Sequence, residues 1–257
     1  MKKFGLNLFS VRSRVKTEEE FLSVAAELKE QGYSFLQFSG ASFPAEVIRR
    51  VSAESGMPVV LTHMPLDAIL YDTERLMEEH ALYGCRNIGL GMMPLDLLKD
   101  EKKCKETIAA LDRAGERMER NGFRFFYHHH HFEFLRYGGE TVLDYMIRTA
   151  PHINFTADTY WLQYGGADVC AYLNKLAGRI GCVHLKDYRV EVKADGSLAP
   201  AFAPVGDGSL DFKTIVNVAE KAGTEYFLVE QDNAVDFPDP LGQTARSAAY
   251  LKKEILS

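Results

Sequence analysis

Short apolar runs alternate along the chain with longer segments in which apolar residues recur every three or four positions. The first apolar run covers residues 4–9, and residues 17–31 after it have the apolar spacing of a helix. Thr17 and Glu20 fit a helix-capping box, and Gly32 is placed to end the helix. The beginning of the chain is therefore predicted to be a strand followed by a helix.

The same unit is repeated along the rest of the chain. The later strands are predicted at 34–38, 58–63, 86–90, 123–128, 153–157, 180–185 and 226–229, and the helices after them at 44–55, 72–83, 100–120, 139–149, 168–177, 209–222 and 241–255. Parallel neighbours in a sheet need a crossover helix, so eight such units in 257 residues predict an α/β fold of the (β/α)8 TIM barrel type. A doubly wound open sheet is the alternative, but the sequence lacks the glycine-rich phosphate turn with which that fold usually opens.

Composition is consistent with one soluble barrel domain over residues 1–257, because no low-complexity or linker-like tract interrupts the pattern. The net charge is -6 and the basic residues are scattered, which argues against a nucleic-acid partner. No apolar run approaches the roughly 20 residues of a membrane-spanning helix, so we expect no membrane partner and a cytoplasmic location. The four cysteines form no CxxC pair and are predicted to be reduced thiols.

The most unusual stretch is FRFFYHHHHFEF at residues 123–134. Successive strand side chains point to opposite faces, so His128 and His130 are predicted to share one face, and His129 and His131 the other. Glu133 follows at or just past the strand end. Imidazole and carboxylate are natural ligands of a divalent cation, whereas histidines that are hydrogen-bonded in a packed strand rim are the alternative.

Polar or ionisable side chains end most of the predicted strands. In TIM barrels the catalytic groups project from the carboxyl ends of the strands. Carboxylates that converge there repel one another unless a cation lies between them. One such set is Glu133, Asp158, His184 and Glu230, whose oxygen-rich character suits Mn, Mg or Co better than a structural zinc. Other strand-end residues are Asn7, Gln37, His63 and His128.

Several motifs resemble, in the same order, those of the sugar phosphate isomerase/epimerase superfamily of xylose-isomerase-like TIM barrels. They are FGLNLFSVR, GYSFLQFSG, LTHM, YHHHHFEF, ADTYW, GRIGCVHLKDY, VGDGSLDF and YFLVEQDN. The most similar branch usually reads YHNHDWEF at the histidine stretch, and members often have glutamate where this chain has Gln37. The resemblance implies that Asp158, His184 and Glu230 bind a divalent metal ion.

Two residues are candidates for the fifth-strand ligand. Many superfamily members place a glutamate where His128 aligns, whereas the glutamate of the YHNHDWEF branch aligns with Glu133. We expect Glu133, because three carboxylates would keep the usual charge balance of the site, and His128 is the alternative. The expected contacts to substrate come from His63, His128, His130 and Lys186.

The leading hypothesis for function is a metal-dependent isomerase or epimerase of a small sugar or polyol. One divalent ion, preferably Mn but otherwise Mg, Co or Zn, would assist formation of an enediolate while Glu133 or Glu230 moves the carbon-bound proton. The alternative is a lyase or keto-glycoside hydrolase at the same site, and a non-catalytic sugar-binding barrel has little support. The chain is compatible with a monomer or a homo-oligomer.

A glycine-rich loop raises the question of a phosphorylated substrate. Gly206-Asp207-Gly208 follows the seventh predicted strand, where TIM barrels often bind phosphate. Asp207 would repel an anion. We therefore expect an unphosphorylated sugar or glycoside.

Overall fold

The short apolar runs form parallel strands in the computed structural model, which describes residues 3–255. The strands are β1 (Phe4–Asn7), β2 (Leu36–Phe38), β3 (Val59–His63), β4 (Asn87–Leu90), β5 (Arg124–His128), β6 (Arg136–Tyr137), β7 (Glu140–Thr141), β8 (Ile153–Asp158), β9 (Cys182–Leu185), β10 (Asp187–Val192), β11 (Leu198–Ala203) and β12 (Tyr226–Val229). Eight of them close into a barrel in the order β1-β12-β9-β8-β5-β4-β3-β2. The predicted TIM barrel is thus confirmed.

Helices surround the barrel and return the chain from the carboxyl end of each strand. They are α1 (Glu18–Gln31), α2 (Ala45–Ser55), α3 (Leu66–Tyr71), α4 (Thr73–Leu82), α5 (Leu95–Leu98), α6 (Glu101–Arg120), α7 (Val142–Thr149), α8 (Thr159–Tyr164), α9 (Val169–Lys175), α10 (Phe212–Lys221) and α11 (Pro240–Glu254). Short 3-10 helices cover Leu8–Arg14, Phe132–Phe134 and Asp232–Asp236. None of the helices among residues 3–255 is long and apolar enough to cross a membrane.

Local sequence explains where α1 begins and ends. The Thr17 side chain accepts a hydrogen bond from the Glu20 amide, and the Glu20 carboxylate accepts one from the Thr17 amide. Gly32 has a φ of 100°, a left-handed conformation that favours glycine, and its amide closes the last turn. The predicted capping box and stop are therefore both present.

Strand alternation places a polar layer directly above an apolar one inside the barrel. Phe126, Cys182 and Leu228 are buried together near the amino-terminal end. Two residues further along the same strands, the side chains point to the same face. Those positions are His128, His184 and Glu230, so the barrel interior changes from a packed apolar plug to a polar mouth within one strand repeat.

Two antiparallel hairpins were not predicted. β6 pairs with β7, and β7 occupies the beginning of the predicted helix at 139–149, so the helix begins only at Val142. β10 and β11 form a longer hairpin where the sequence indicated a loop after the seventh barrel strand. The cross-strand pair Tyr188–Phe202 lies at its base, and both rings contact the ring of Tyr160. The longer hairpin therefore adds an aromatic wall beside the barrel mouth.

Candidate metal centre

Four side chains converge at the barrel mouth with metal-ligand atoms within 4.8 Å of one another: His128, Asp158, His184 and Glu230. They come from the ends of β5, β8, β9 and β12, which are consecutive neighbours in the barrel. All four are at least 96% buried. His184 Nδ1 lies 3.1 Å from Glu230 Oε2 and 3.6 Å from Asp158 Oδ2, and His128 Nε2 lies 3.4 Å from Asp158 Oδ2.

In each histidine of this group, one ring nitrogen donates a hydrogen bond to an oxygen, and this directs the other ring nitrogen towards the centre. His128 Nδ1 donates to the Gly91 carbonyl at 2.9 Å, which leaves the Nε2 lone pair facing Asp158. His184 Nε2 donates to Gln37 Oε1 at 2.6 Å, while the buried Nδ1 makes no well-aligned hydrogen bond within residues 3–255 and faces the carboxylates of Glu230 and Asp158. This arrangement is typical of metal-binding histidines, whose other nitrogen usually donates to a carbonyl or carboxylate.

The two carboxylates of the group are held in the same way. Asp158 Oδ1 caps α8 by accepting from the Trp161 amide at 2.9 Å, and Glu230 Oε1 accepts from the Asn7 amide group. Asp158 Oδ2 and Glu230 Oε2 remain directed to the centre. One atom of each residue is thus anchored outside the centre and one is directed into it, so the four residues fit a divalent ion.

Gln37 links the centre to His63. Its amide donates from Nε2 to His63 Nε2 at 2.8 Å, while its oxygen accepts from His184. His63 Nδ1 then carries the proton and donates to Ser39 Oγ at 3.2 Å. Burial lowers the pKa of His63 well below its ordinary value, consistent with a neutral ring.

The charged groups at the centre shift the pKa values of one another. Burial alone would lower the pKa of His184, but the carboxylates of Glu230 and Asp158 raise it to about 9. Burial would likewise raise the pKa of Glu230, but Lys186 and His184 hold it well below the ordinary value. A divalent ion and the proton on His184 Nδ1 are therefore alternatives at one position.

Lys186 is a buried cation at the edge of the centre. Its ammonium lies 3.1 Å from Glu230 Oε2, 3.8 Å from Asp158 Oδ2 and 2.7 Å from Asp232 Oδ1. The rings of Trp161 and Phe202 lie about 5 Å from it on the other side. Asp232 offsets the charge of Lys186, so the two ligand carboxylates remain available to balance a divalent ion.

Glu133, the expected ligand, is not brought into this group. The chain leaves β5 after His128 and bends into the 3-10 helix Phe132–Phe134, so strand alternation no longer sets the direction of its side chain. The Glu133 carboxylate instead accepts from Tyr127 Oη at 2.7 Å and from the His130 amide at 2.8 Å. The structure places the alternative candidate, His128, beside Asp158.

The centre opens into a cleft of about 490 Å³ at the carboxyl ends of the strands. All four residues predicted to contact substrate line it: His63, His128, His130 and Lys186. Glu230 and Asp232 line it too, whereas Glu133 does not. A larger cavity, of about 650 Å³, lies at the opposite end of the barrel and contains none of the predicted site residues.

The remaining histidines of the run support the cleft wall. His129 Nε2 accepts from the Asp158 amide at 3.1 Å, which fits a neutral ring whose pKa burial lowers to about 4. His131 stacks on Trp161 with ring centroids 5.1 Å apart.

The sequence analysis missed Asp232, although its position two residues after Glu230 in VEQD was a signal that both could face the mouth.

A comparison with protein families identifies the fold family. The model described as xylose isomerase-like TIM barrel matches residues 25–254. The chain belongs to this family.

Some relatives of this xylose isomerase-like barrel have the names of enzymes. An inosose dehydratase of Clostridium perfringens is 29% identical over 168 residues, which cover 60% of this chain and 56% of that protein. The chain matches about half the length of this curated relative. This relative is thus named as an enzyme, a dehydratase.

Solved structures share the whole fold at low sequence identity. A sugar phosphate isomerase/epimerase from Parabacteroides distasonis has a TM-score of 0.84 at 19% identity, with 99% of this chain and 94% of that chain covered. A xylose isomerase-like TIM barrel protein from Mycobacterium smegmatis in complex with magnesium has a TM-score of 0.73 at 17% identity, with 98% of both chains covered. These likenesses show the common fold.

Proposed function

We propose that this xylose isomerase-like barrel is a metal-dependent isomerase or epimerase of a sugar or related polyol. The observation that carries the proposal is the buried group of His128, Asp158, His184 and Glu230, with one atom of each side chain anchored and one directed to a common centre. Two imidazoles and two carboxylates suit Mn, with Mg, Co or Zn as alternatives. In this proposal His128, rather than Glu133, is the fifth-strand ligand.

A divalent ion held by these four residues would supply Lewis acidity to the substrate carbonyl and so acidify the neighbouring carbon-bound proton. We assign acceptance of that proton to Glu230, because it lines the cleft and Glu133 does not. Glu230 Oε1 keeps a lone pair beside its hydrogen bond from Asn7, whereas Oε2 belongs to the donor group. Delivery of a proton to the opposite face of the same carbon gives an epimer, and delivery to the adjacent carbon gives an isomer.

Lys186 is assigned to the developing negative charge on the substrate oxygen. Its ammonium is fixed by Glu230 and Asp232 and lies on the cleft surface. Trp161 and Phe202 cover its other side and exclude water, which strengthens a hydrogen bond from Nζ to an oxyanion. We assign His130 to a substrate hydroxyl group, because it lines the cleft and its Nδ1 has no hydrogen-bond partner among the described residues. Both ring nitrogens of His63 are already paired, with Gln37 and Ser39, so this residue contributes its ring to the cleft wall.

A lyase is the second candidate, supported by the inosose dehydratase relative. Removal of the same proton can be followed by loss of an oxygen leaving group from the next carbon. That oxygen needs a proton donor, and Lys186 lies beside the proposed base. A keto-glycoside hydrolase would use the same step, with the aglycone oxygen as the leaving group.

Metal content and hydrogen exchange test the proposal together. We expect close to one divalent ion per chain after loading with Mn, and proton NMR in deuterated water should show deuterium entering the carbon skeleton of a substrate sugar. Asp158→Asn should weaken metal binding while keeping the side-chain shape. Absence of metal binding with Mn, Mg, Co and Zn would reject the centre. Loss of water or of an aglycone, instead of a retained skeleton, would select the lyase or hydrolase.

A further inference from the structure

The cleft beside the donor group has two chemically different halves. His128 and Glu230 of the donor group, with Lys186, Asp232 and His130, line the polar half. The end of β4 and the segments after β1, β3 and β4 form the other half, with Phe9, Met64, Leu66, Leu90 and Met92 in its lining. Met92 is 41% exposed, so a large apolar side chain faces the open cleft. A ligand that reaches the donor group and fills the cleft must therefore also contact an apolar wall.

The polar half offers no free cation for a phosphate. Within the described lining, Lys186 is the only lysine or arginine, and its ammonium already lies 3.1 Å from Glu230 and 2.7 Å from Asp232. Those carboxylates also line the cleft and would repel an anion. Phosphate groups are normally bound by unpaired arginine or lysine side chains or by free backbone amides.

The loop after β9, where TIM barrels often bind phosphate, is filled by the protein's own carboxylate. Asp187 is fully buried. Its Oδ2 accepts from the amides of Gly206 and Gly208, both at 3.0 Å, and its Oδ1 accepts from those of Ser209 and Leu210 at 3.1 and 3.3 Å. Four backbone donors that could hold a phosphate are thus already paired with an internal anion.

We propose that the cleft takes an unphosphorylated sugar or polyol that carries an apolar, ring-sized substituent, such as an aryl glycoside. The polar part faces the donor group and the substituent lies against Met64, Leu66 and Met92. A cleft of about 490 Å³ is in the range of sites that enclose ligands of this size. The orientation of the polar part rests on the proposed function, whereas contact of the substituent with the apolar wall requires no catalysis.

Methionine methyl NMR tests the substituent directly. The protein labelled with 13C at the methionine methyls and loaded with Mg is titrated with phenol, phenyl β-D-glucopyranoside, methyl β-D-glucopyranoside and glucose 6-phosphate. Phenol and the phenyl glycoside should shift the methyl signals of Met64 and Met92 through the ring current. The core residues Met57 and Met118, which are fully buried, should not shift and serve as internal controls. Phenol is included because its binding does not depend on sugar stereochemistry.

Affinity gives the second measurement. The phenyl glycoside should bind at least roughly tenfold more tightly than the methyl glycoside, because the ring buries additional apolar surface. Met92→Glu should remove that difference, whereas Leu82→Glu, an exposed position outside the cleft lining, should leave it unchanged. Unshifted Met64 and Met92 signals with both phenyl-bearing probes, or tighter binding of glucose 6-phosphate than of the phenyl glycoside, would overturn the proposal.

Separate measurements test the proposed function and this inference. A titration of the same protein with Mn reports on the donor group independently of the methyl signals. Metal binding without any methyl shift rejects the apolar substituent alone. Methyl shifts without metal binding reject the metal-dependent activity while supporting the apolar subsite.

Discussion

The direction of an imidazole or carboxylate at the barrel mouth depends on the hydrogen bonds that its nitrogen or oxygen atoms make outside the centre. His128 and Glu133 illustrate this, since both are buried and only five residues apart in sequence. The Gly91 carbonyl fixes the His128 ring, whereas Tyr127 and the His130 amide occupy both Glu133 oxygens. The hydrogen bonds therefore assign His128 to the centre and Glu133 to the support of the histidine turn.

Opposite effects of two substitutions test this assignment. His128→Ala should weaken Mn binding by at least about 100-fold, because it removes a ligand, whereas Glu133→Gln should change it by less than about tenfold. Isothermal titration of the metal-free proteins with Mn measures both. The reverse pattern would make Glu133 the ligand.

Gln37 is expected to act on the metal ion through His184. Gln37→Leu removes the acceptor that holds the proton on His184 Nε2 and so favours a ring whose Nδ1 is protonated. Mn affinity should fall about 10- to 100-fold, as is typical for loss of a partner behind a histidine ligand. Gln37→Glu keeps an acceptor at this position and should recover most of the affinity. Equal losses in the two variants would show that Gln37 acts only by packing.

Sequence reasoning identified Asp158, His184 and Glu230 because each lies at or directly after a regular strand, where period-two alternation still holds. It favoured Glu133 and kept His128 as the alternative, because the choice depends on the turn after β5, which the sequence pattern does not reveal. That turn is set by tertiary hydrogen bonds such as the one from the His130 amide to Glu133. Asp232 was missed for the same reason, since it begins a 3-10 helix.

Among the secondary-structure elements, the barrel strands and most helices were predictable because their apolar periodicity matches their burial. The β10–β11 hairpin was not predicted. One of its faces begins with the packed rings of Tyr188 and Phe202 and continues towards the hairpin tip with exposed apolar residues. Val190, Val192 and Leu198 are 60%, 71% and 72% exposed. The alternation of Tyr188, Val190 and Val192 with polar residues was a strand signal that the sequence analysis missed, although this face is exposed at its outer end. The loop that follows is held by Asp187, whose backbone contacts cannot be read from sequence.

Asp187→Asn should destabilise the protein without weakening the metal centre. The amide cannot accept on both sides as the carboxylate does, so at least one buried backbone donor loses its partner. We expect a loss of about 2 kcal/mol in the free energy of unfolding, measured by urea denaturation. Asp195→Asn, in the exposed hairpin turn, is the matched control. An unchanged stability would mean that solvent replaces these hydrogen bonds.

For the molecule as a whole, the buried Glu133 predicts a dependence of stability on pH. Burial raises the pKa of Glu133 to about 7 from an ordinary value of 4.5, even though Tyr127 and the His130 amide favour its charged form. The folded protein therefore binds more protons than the unfolded chain between these values. The corresponding stabilisation is fully present below pH 4.5 and is lost as pH rises through 7, by about 3 kcal/mol.

Urea denaturation from pH 5 to pH 8 in the presence of a chelator measures this term. Glu133→Gln cannot ionise and should lose less stability than the wild type as pH rises over this range. Glu78→Gln, at an exposed position, should keep the wild-type slope. Parallel curves for the wild type and Glu133→Gln would show that Glu133 is ionised throughout.

The division of the barrel mouth also has an evolutionary consequence. The four residues of the proposed metal centre come from the ends of β5, β8, β9 and β12, while the apolar wall comes from the end of β4 and the segments after β1, β3 and β4. Substitutions at well-separated positions usually have additive effects. Changes in the wall segments can therefore accumulate with little effect on the ligands, and one ancestral barrel could diversify its substrates while keeping its chemistry.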